Sequence, residues 1–226
     1  MNDASFQVAE GSITALIGPN GAGKTTAFDT ISGVIEPDAG TVTFEEHDIT
    51  GLMPHVGSKL GMGRTFQITR ELSNMSVLEN MVVSTVPNGF SALLGGRMSR
   101  SEREKAMDLL SFVGIEQLAN EPAKQLSYGQ RKLLEFAAVL MAEPKLVLLD
   151  EPAGGVNPAL LERLLDRIEE INRTGTSFLI VEHNMDVVMR LSHSVVVMAL
   201  GHVILQDTPE NVREDDRVLE AYLGEV

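Results

Sequence analysis

Apolar positions follow two rhythms along this chain. Short apolar stretches, β-branched at 13–17, fall at residues 13–17, 145–150, 178–181 and 194–198. Runs of that length and composition predict strands covered on both faces. Between them, apolar residues recur at helical spacing over residues 25–32, 127–141, 158–172, 185–191 and 209–223. Shorter signals predict a strand after Gly40 over residues 41–44, a helix over 53–60 around Pro54, and an edge strand over 63–66. Residues 194–198 and 202–206 flank Leu200-Gly201 and predict a hairpin. Strands that alternate with helices imply a largely parallel sheet.

One stretch departs from this alternation. Residues 68–126 carry almost no strand signal. Ser76 is placed to cap a helix over 77–85, and Ser99 one that runs through Arg103 and Leu110. Residues 87–96 are loop-like and glycine-rich. This reads as a helical subdomain inserted into a single domain spanning 1–226. No internal repeat is visible.

Bulk properties narrow the partners. The formal net charge is -14. An acidic surface keeps a protein in solution and repels phosphate backbones, which argues against nucleic acid. There is no cysteine, hence no disulfide and no thiolate chemistry. The first ten residues hold two acids and no basic cluster, unlike a secretory signal. The longest helix-like apolar stretch, residues 133–142, contains Glu135 and is too short to cross a bilayer. Any service to a membrane is expected to go through a partner.

The candidate chemistry begins after the first strand. Gly18, Pro19, Asn20, Gly21, Ala22, Gly23, Lys24, Thr25 and Thr26 fit the phosphate-loop pattern G-x-x-x-x-G-K-[ST], with a strand before it and a helix after it. In such a loop the backbone N–H groups and the helix N-terminus cradle phosphate oxygens. Lys24 reaches the β- and γ-phosphates, Thr25 offers its hydroxyl to Mg²⁺, and Thr26 adds a phosphate contact. The strand at 145–150 ends in Asp150 and Glu151. Adjacent strand residues point opposite ways, so the two carboxylates divide the work. Asp150 would hold Mg²⁺, and Glu151 would orient or deprotonate a water attacking the phosphate. Alone, that pair is equally an acidic strand end in solvent; beside a phosphate loop it is a hydrolytic site.

Leu126-Ser127-Tyr128-Gly129-Gln130 opens the helix that precedes the Asp150 strand. It resembles the LSGGQ signature of ATP-binding cassette (ABC) proteins, with Tyr128 in place of the commoner glycine. That resemblance covers nearly the whole chain and implies further roles. Ser127, Gly129 and Gln130 form a second anion site that faces the γ-phosphate held by another subunit. Gln67, in Arg64-Thr65-Phe66-Gln67, matches the Q-loop glutamine that touches Mg²⁺ or the attacking water. His183 matches the switch histidine that contacts the γ-phosphate. Asn157 sits in the D-loop, where most members carry Asp. The segments at 64–67, 151–158, 182–185 and 221–225 are similar to branched-chain amino acid importers of the LivG type, whose relatives also serve urea and amides.

The implied fold is an α/β P-loop NTPase core with a helical insert and a small antiparallel β subdomain, lacking the strand with which the family usually begins. That strand brings an aromatic that stacks on adenine; Phe6 falls in the next strand and reads as core. The implied function is an ATPase with ATP and Mg²⁺ as its ligands. It would pair head to tail with a related or identical cassette, at the cytoplasmic face of the membrane. Permease subunits would carry the solute, supplied indirectly by a solute-binding protein. Repair cassettes split their motifs with a coiled coil and translation cassettes fuse two copies; this chain does neither. A truncated or regulatory cassette that binds nucleotide weakly is the remaining alternative. His47, His55, His193 and His202 have no motif around them.

Overall fold

The computed structural model describes residues 1–65, 72–83 and 98–223. They fall into two units. The first comprises Met1–Arg64, Lys145–Glu151 and Ile171–Val226, and the second Thr65–Pro144 and Pro152–Glu170.

The first unit is built on a sheet of β1 (Ile13–Ile17), β4 (Met62–Arg64), β5 (Leu146–Asp150), β6 (Ser177–Val181), β7 (Ser194–Ala199) and β8 (His202–Asp207). Their order across the sheet is β4-β5-β6-β1-β7-β8. Every neighbouring pair is parallel except the β7–β8 hairpin. A separate two-stranded hairpin pairs β2 (Thr43–Phe44) with β3 (His47–Asp48). Strands β1, β5 and β6 are buried at every position, because both faces of the sheet are covered.

One face packs Leu16, Leu148, Leu179 and Val196 against Ala27 and Phe28 of helix α1 (Lys24–Ile31). Phe6 packs half-buried against this cluster, but from a segment that forms no strand, unlike the strand expected there. The other face packs Ala15, Ile17, Val195 and Val197 against three helices. Val188 comes from α7 (Met185–Leu191), Val212 from α8 (Pro209–Glu214) and Val218 from α9 (Asp216–Leu223). Full burial of each such side chain contributes about 1.5–3 kcal/mol, so these two layers carry the stability of the unit. His193 extends the β1–β7 ladder: its Nδ1 accepts the Ile13 N–H at 3.0 Å, and its own N–H donates to the Ile13 carbonyl at 2.8 Å.

Residues 209–223 depart from the single helix predicted there. Asp215 is extended (φ -80°, ψ 122°) and separates α8 from α9. Its Oδ1 accepts the Arg217 N–H at 2.9 Å, and its other oxygen pairs with the Arg217 guanidinium at 2.7 Å. A short acidic side chain that bonds a backbone N–H two residues on competes with helix and restarts it.

The second unit is helical among its described residues, apart from an isolated bridge between Ser76 and Pro122. Helices α3 (Val77–Val83), α4 (Arg100–Val113) and α5 (Tyr128–Leu140) pack on one another, burying Met81, Leu110 and Leu133. Most of α6 (Pro158–Arg173) completes the unit. Ser76, Ser99 and Ser127 each begin a helix in a capping box, with Glu79, Glu102 and Gln130 bonding back three residues later. Helix α2 (Pro54–Leu60) belongs to the first unit and leads into β4. Among the described residues no helix is long and apolar enough to cross a membrane.

Candidate functional site

Parallel pairing brings the predicted groups of the first unit to one end of the sheet. Val181 of β6 is level with Asp150 on one side and Leu16 on the other. The next residues are therefore Glu151 and Glu182, where β5 and β6 leave the sheet, and Ile17, the last residue of β1. Ligands of open α/β sheets gather beyond these carboxyl ends.

The loop from Gly18 to Gly23 turns β1 into α1. Gly18 has φ +145°, and a Cβ there would lie 2.1 Å from the Met198 carbonyl oxygen. Only glycine lets the loop fold down onto the end of β7. Gly23, at φ +101°, is the left-handed residue that precedes α1. The Lys24 ammonium donates to the carbonyls of Gly18 at 2.6 Å and Pro19 at 2.9 Å. It thus clasps the loop across its mouth. Thr25 and Thr26 are exposed at the start of α1.

Asp150 is buried at the tip of β5. Glu151 follows at φ +46°, a left-handed conformation that breaks the strand's alternation, with its N–H bonded to the Val181 carbonyl at 2.9 Å. Left-handed backbone in a non-glycine residue costs about 1–3 kcal/mol and collects at functional sites. His183 Nδ1 stands 3.7 Å from Glu151 Oε1, and both side chains reach solvent.

Glu182 opens the family-like segment 182–185 without a role predicted for it, yet it organises the turn that carries His183. It is only 1% exposed. Its Oε2 accepts the N–H groups of His183 at 3.0 Å and Asn184 at 3.1 Å. Asn184 in turn caps α7 by accepting from Asp186 and Val187. A glutamate directly after an apolar strand, with Asn two residues later, was the available signal.

The signature residues belong to the second unit. Ser127 Oγ accepts the Gln130 N–H at 3.3 Å, and Gln130 Oε1 accepts the Ser127 N–H at 2.8 Å. Gly129 lies against α6, where a Cβ would meet Leu160 Cδ1 at 2.8 Å. The Tyr128 ring covers Gly155, its Cε1 3.0 Å from a Cβ built there. Signature and D-loop are thus packed together. Asn157 Oδ1 accepts the Leu160 N–H at 3.0 Å and caps α6. Gln67 lies outside the described residues.

Comparison with known proteins agrees with this geometry. The family model for the ABC transporter matches residues 1–154. The chain is 43% identical to "Probable branched-chain amino acid transport ATP-binding protein LivG" of Archaeoglobus fulgidus, over 99% of this chain and 89% of that protein. It is 37% identical to "High-affinity branched-chain amino acid transport ATP-binding protein LivG" of Salmonella typhimurium, over 100% of this chain and 92% of that protein. Among solved structures, a nucleotide-free ATP-binding cassette from an ABC transporter superposes with a TM-score of 0.89 at 35% identity, covering 98% of this chain and 92% of that one. A phosphate loop and an Asp-Glu strand end meet on a doubly covered sheet, in a sequence similar to these cassettes along its whole length: the chain belongs to the ABC transporter family.

Proposed function

We propose that this chain is the ATP-binding and ATP-hydrolysing subunit of an importer for branched-chain amino acids or related small solutes such as urea and amides. The observation that carries the ATPase reading is the meeting of loop 18–26, Asp150, Glu151 and His183 at one end of the sheet. The solute class is supported by the names of the relatives at 43% and 37% identity.

The residues present fit Mg-ATP. Gly18, where a Cβ would strike the Met198 carbonyl, lets the loop turn tightly over the end of β7, and a buried carboxylate stands at the tip of β5. Among the described residues no three His, Asp or Glu side chains gather around one point. Mg²⁺ commonly takes one or two protein ligands and fills its sphere with phosphates and water. Thr25 and Asp150 would hold it, with Gln67 as a further ligand. When bound, Mg²⁺ neutralises charge on the β- and γ-phosphoryl oxygens.

The protein's own groups do the rest. The N–H groups of residues 20–26 hold the phosphates, and Lys24 releases the loop carbonyls to reach them. Glu151 orients the attacking water and takes its proton. His183, its backbone fixed by Glu182, holds the γ-phosphate from the side of β6. Gln67 contacts the water or the ion. Ser127, Gly129 and Gln130 present the N-terminus of α5 to the γ-phosphate in a second cassette, related or identical, arranged head to tail. ATP closes such a dimer, and hydrolysis reopens it. Residues 68–126 form the helical insert of the single domain. The chain acts at the cytoplasmic face of the membrane, on permease subunits that receive solute from a binding protein, with no nucleic acid involved.

Glu151→Gln tests the assignment. The variant should lose turnover by about 10²–10⁴-fold and bind ATP as well as the wild type does. Equal hydrolysis by both would remove Glu151 as the base. Native purification from membranes should recover permeases and a second cassette; recovery of the chain alone would count against the transport role.

A further inference from the structure

In the signature, the roles toward phosphate fall to Ser127, Gly129 and Gln130, which leaves the Tyr128 ring without one. The residue is 46% exposed and adds little to the core. Its ring is nevertheless closely placed. The three atoms nearest a Cβ built on Gly155 are Tyr128 Cε1, Cδ1 and Cζ, at 3.0, 3.3 and 3.7 Å. Four residues further along α5, buried Lys132 brings its ammonium 5.9 Å from the ring centroid. Residues four apart share a helix face, so Lys132 steadies the ring from its own helix.

Gly155 lies at the end of a turn that begins at Glu151. Both ends of this turn are left-handed, Glu151 at φ +46° and Gly155 at φ +68°. Glycine adopts that conformation freely, whereas a glutamate keeps it only while its surroundings compel it. On the strand side the Glu151 N–H is held by the Val181 carbonyl at 2.9 Å. Beyond it, the Val156 N–H reaches the Ala153 carbonyl at 3.3 Å, longer than an ordinary backbone bond. Asn157 spends its side chain on capping α6. The Tyr128 ring is what covers the turn at Gly155.

We propose that Tyr128 is a positioning residue for hydrolysis. Its ring, laid over Gly155, keeps the turn after Glu151 in the conformation that sets the Glu151 carboxylate on the attacking water. This rests on the reading of Glu151 as the base. Tyr128 touches no reacting atom in this role; it acts through the backbone that follows Glu151.

The test measures steady-state Mg-ATP hydrolysis by the full-length chain. Wild type is compared with Tyr128→Phe, Tyr128→Ala, Gly155→Ala and the double variant Tyr128→Ala with Gly155→Ala. Tyr128→Ala should lower kcat about five- to thirtyfold, short of the roughly hundredfold that a 1 Å misplacement costs. Its KM for ATP should stay within about twofold, because an interaction that serves only the transition state shows in kcat. Tyr128→Phe should keep kcat within about twofold, since ring carbons make the contact and the volume is nearly conserved. Gly155→Ala presses a methyl onto the ring. Its cost in kcat should therefore be at least about threefold smaller in the Tyr128→Ala chain than in the wild type, as for residues in contact.

Wild-type kcat in Tyr128→Ala would overturn the proposal, and so would an equal loss in Tyr128→Phe. Losses that multiply independently in the double variant would also overturn it, by placing the effect of Tyr128 elsewhere in the signature. If the wild type hydrolyses no ATP, the reading of Glu151 fails and this role with it.

Discussion

Replacing Arg64 by Ala should destabilise the first unit far more than an ordinary charge deletion. Arg64 ends β4 and reaches across to α1, the helix that grows out of the phosphate loop. Its Nη2 lies 2.6 Å from Asp29 Oδ1, with the two side chains 13% and 19% exposed. Its other terminal nitrogen donates to Ser32 Oγ, and its plane lies 4.7 Å over the centroid of Phe28. A charge-assisted hydrogen bond is worth about 1.5–3 kcal/mol, and a partly exposed cation–π contact about 0.5–1 kcal/mol. Asp29 keeps some access to water, so the loss stays below the ceiling of about 5 kcal/mol for breaking a fully buried pair. The sum is about 2–4 kcal/mol. Urea unfolding at fixed salt would measure it. A cycle with Asp29→Ala should return a coupling of about 1–2 kcal/mol, as expected for contacting charges. Arg64→Lys should fall between wild type and Arg64→Ala, since it keeps the charge and loses the fork and the stack. A loss under about 1 kcal/mol for Arg64→Ala, the value of an exposed pair, would refute this account. So would an Asp29→Ala cost that is the same with and without Arg64.

Two further outcomes are expected. Asn157→Ala should cost about 1 kcal/mol, the value of a lost N-cap, whereas Asn157→Asp should unfold at an equal or higher temperature, because Asp caps as well and adds negative charge at a helix N-terminus; a lower midpoint for Asp would contradict the capping role. Hydrogen bonds from the Ser99 hydroxyl and then the Ser99 N–H hold the Glu102 carboxyl below its ordinary 4.5. A depressed folded pKa gives stability that is present above the ordinary value and lost as pH falls through the depressed one. The stability gap between wild type and Ser99→Ala, followed by urea unfolding from pH 7 downward, should therefore narrow in acid below 4.5; a gap that widens there would be incompatible with the capping box.

Much of this fold was legible because its strands are covered on both faces. Residues 13–17 and 178–181 are apolar without alternation, and burial at every position of β1 and β6 is the physical counterpart. Serine caps were legible too, since Ser99 and Ser127 have Glu102 and Gln130 three residues on. The break at Asp215 was not, because periodicity continues across it and only the side-chain bond to Arg217 reveals it. Nor were the roles of Glu182 and Arg64: both lie in segments that resemble the family, but what each does comes from backbone groups or from partners far away in sequence. The phosphate loop and Asp150-Glu151 were readable because their spacing is the chemistry. His183 needed the family's motif order to single it out from the other histidines.

The pairing of β1 has a consequence for how the chain is made. Ile13 pairs with Phe178, and Thr14 with Ser194. On the ribosome, the strand that supports the phosphate loop emerges well before β6 and β7 and must wait for both. Contacts of such long sequence separation slow folding and leave apolar strands uncovered in the meantime. A product that stops before β7 has no completed sheet under its loop, so translation that fails late yields a chain for proteases and chaperones rather than a partly working ATPase.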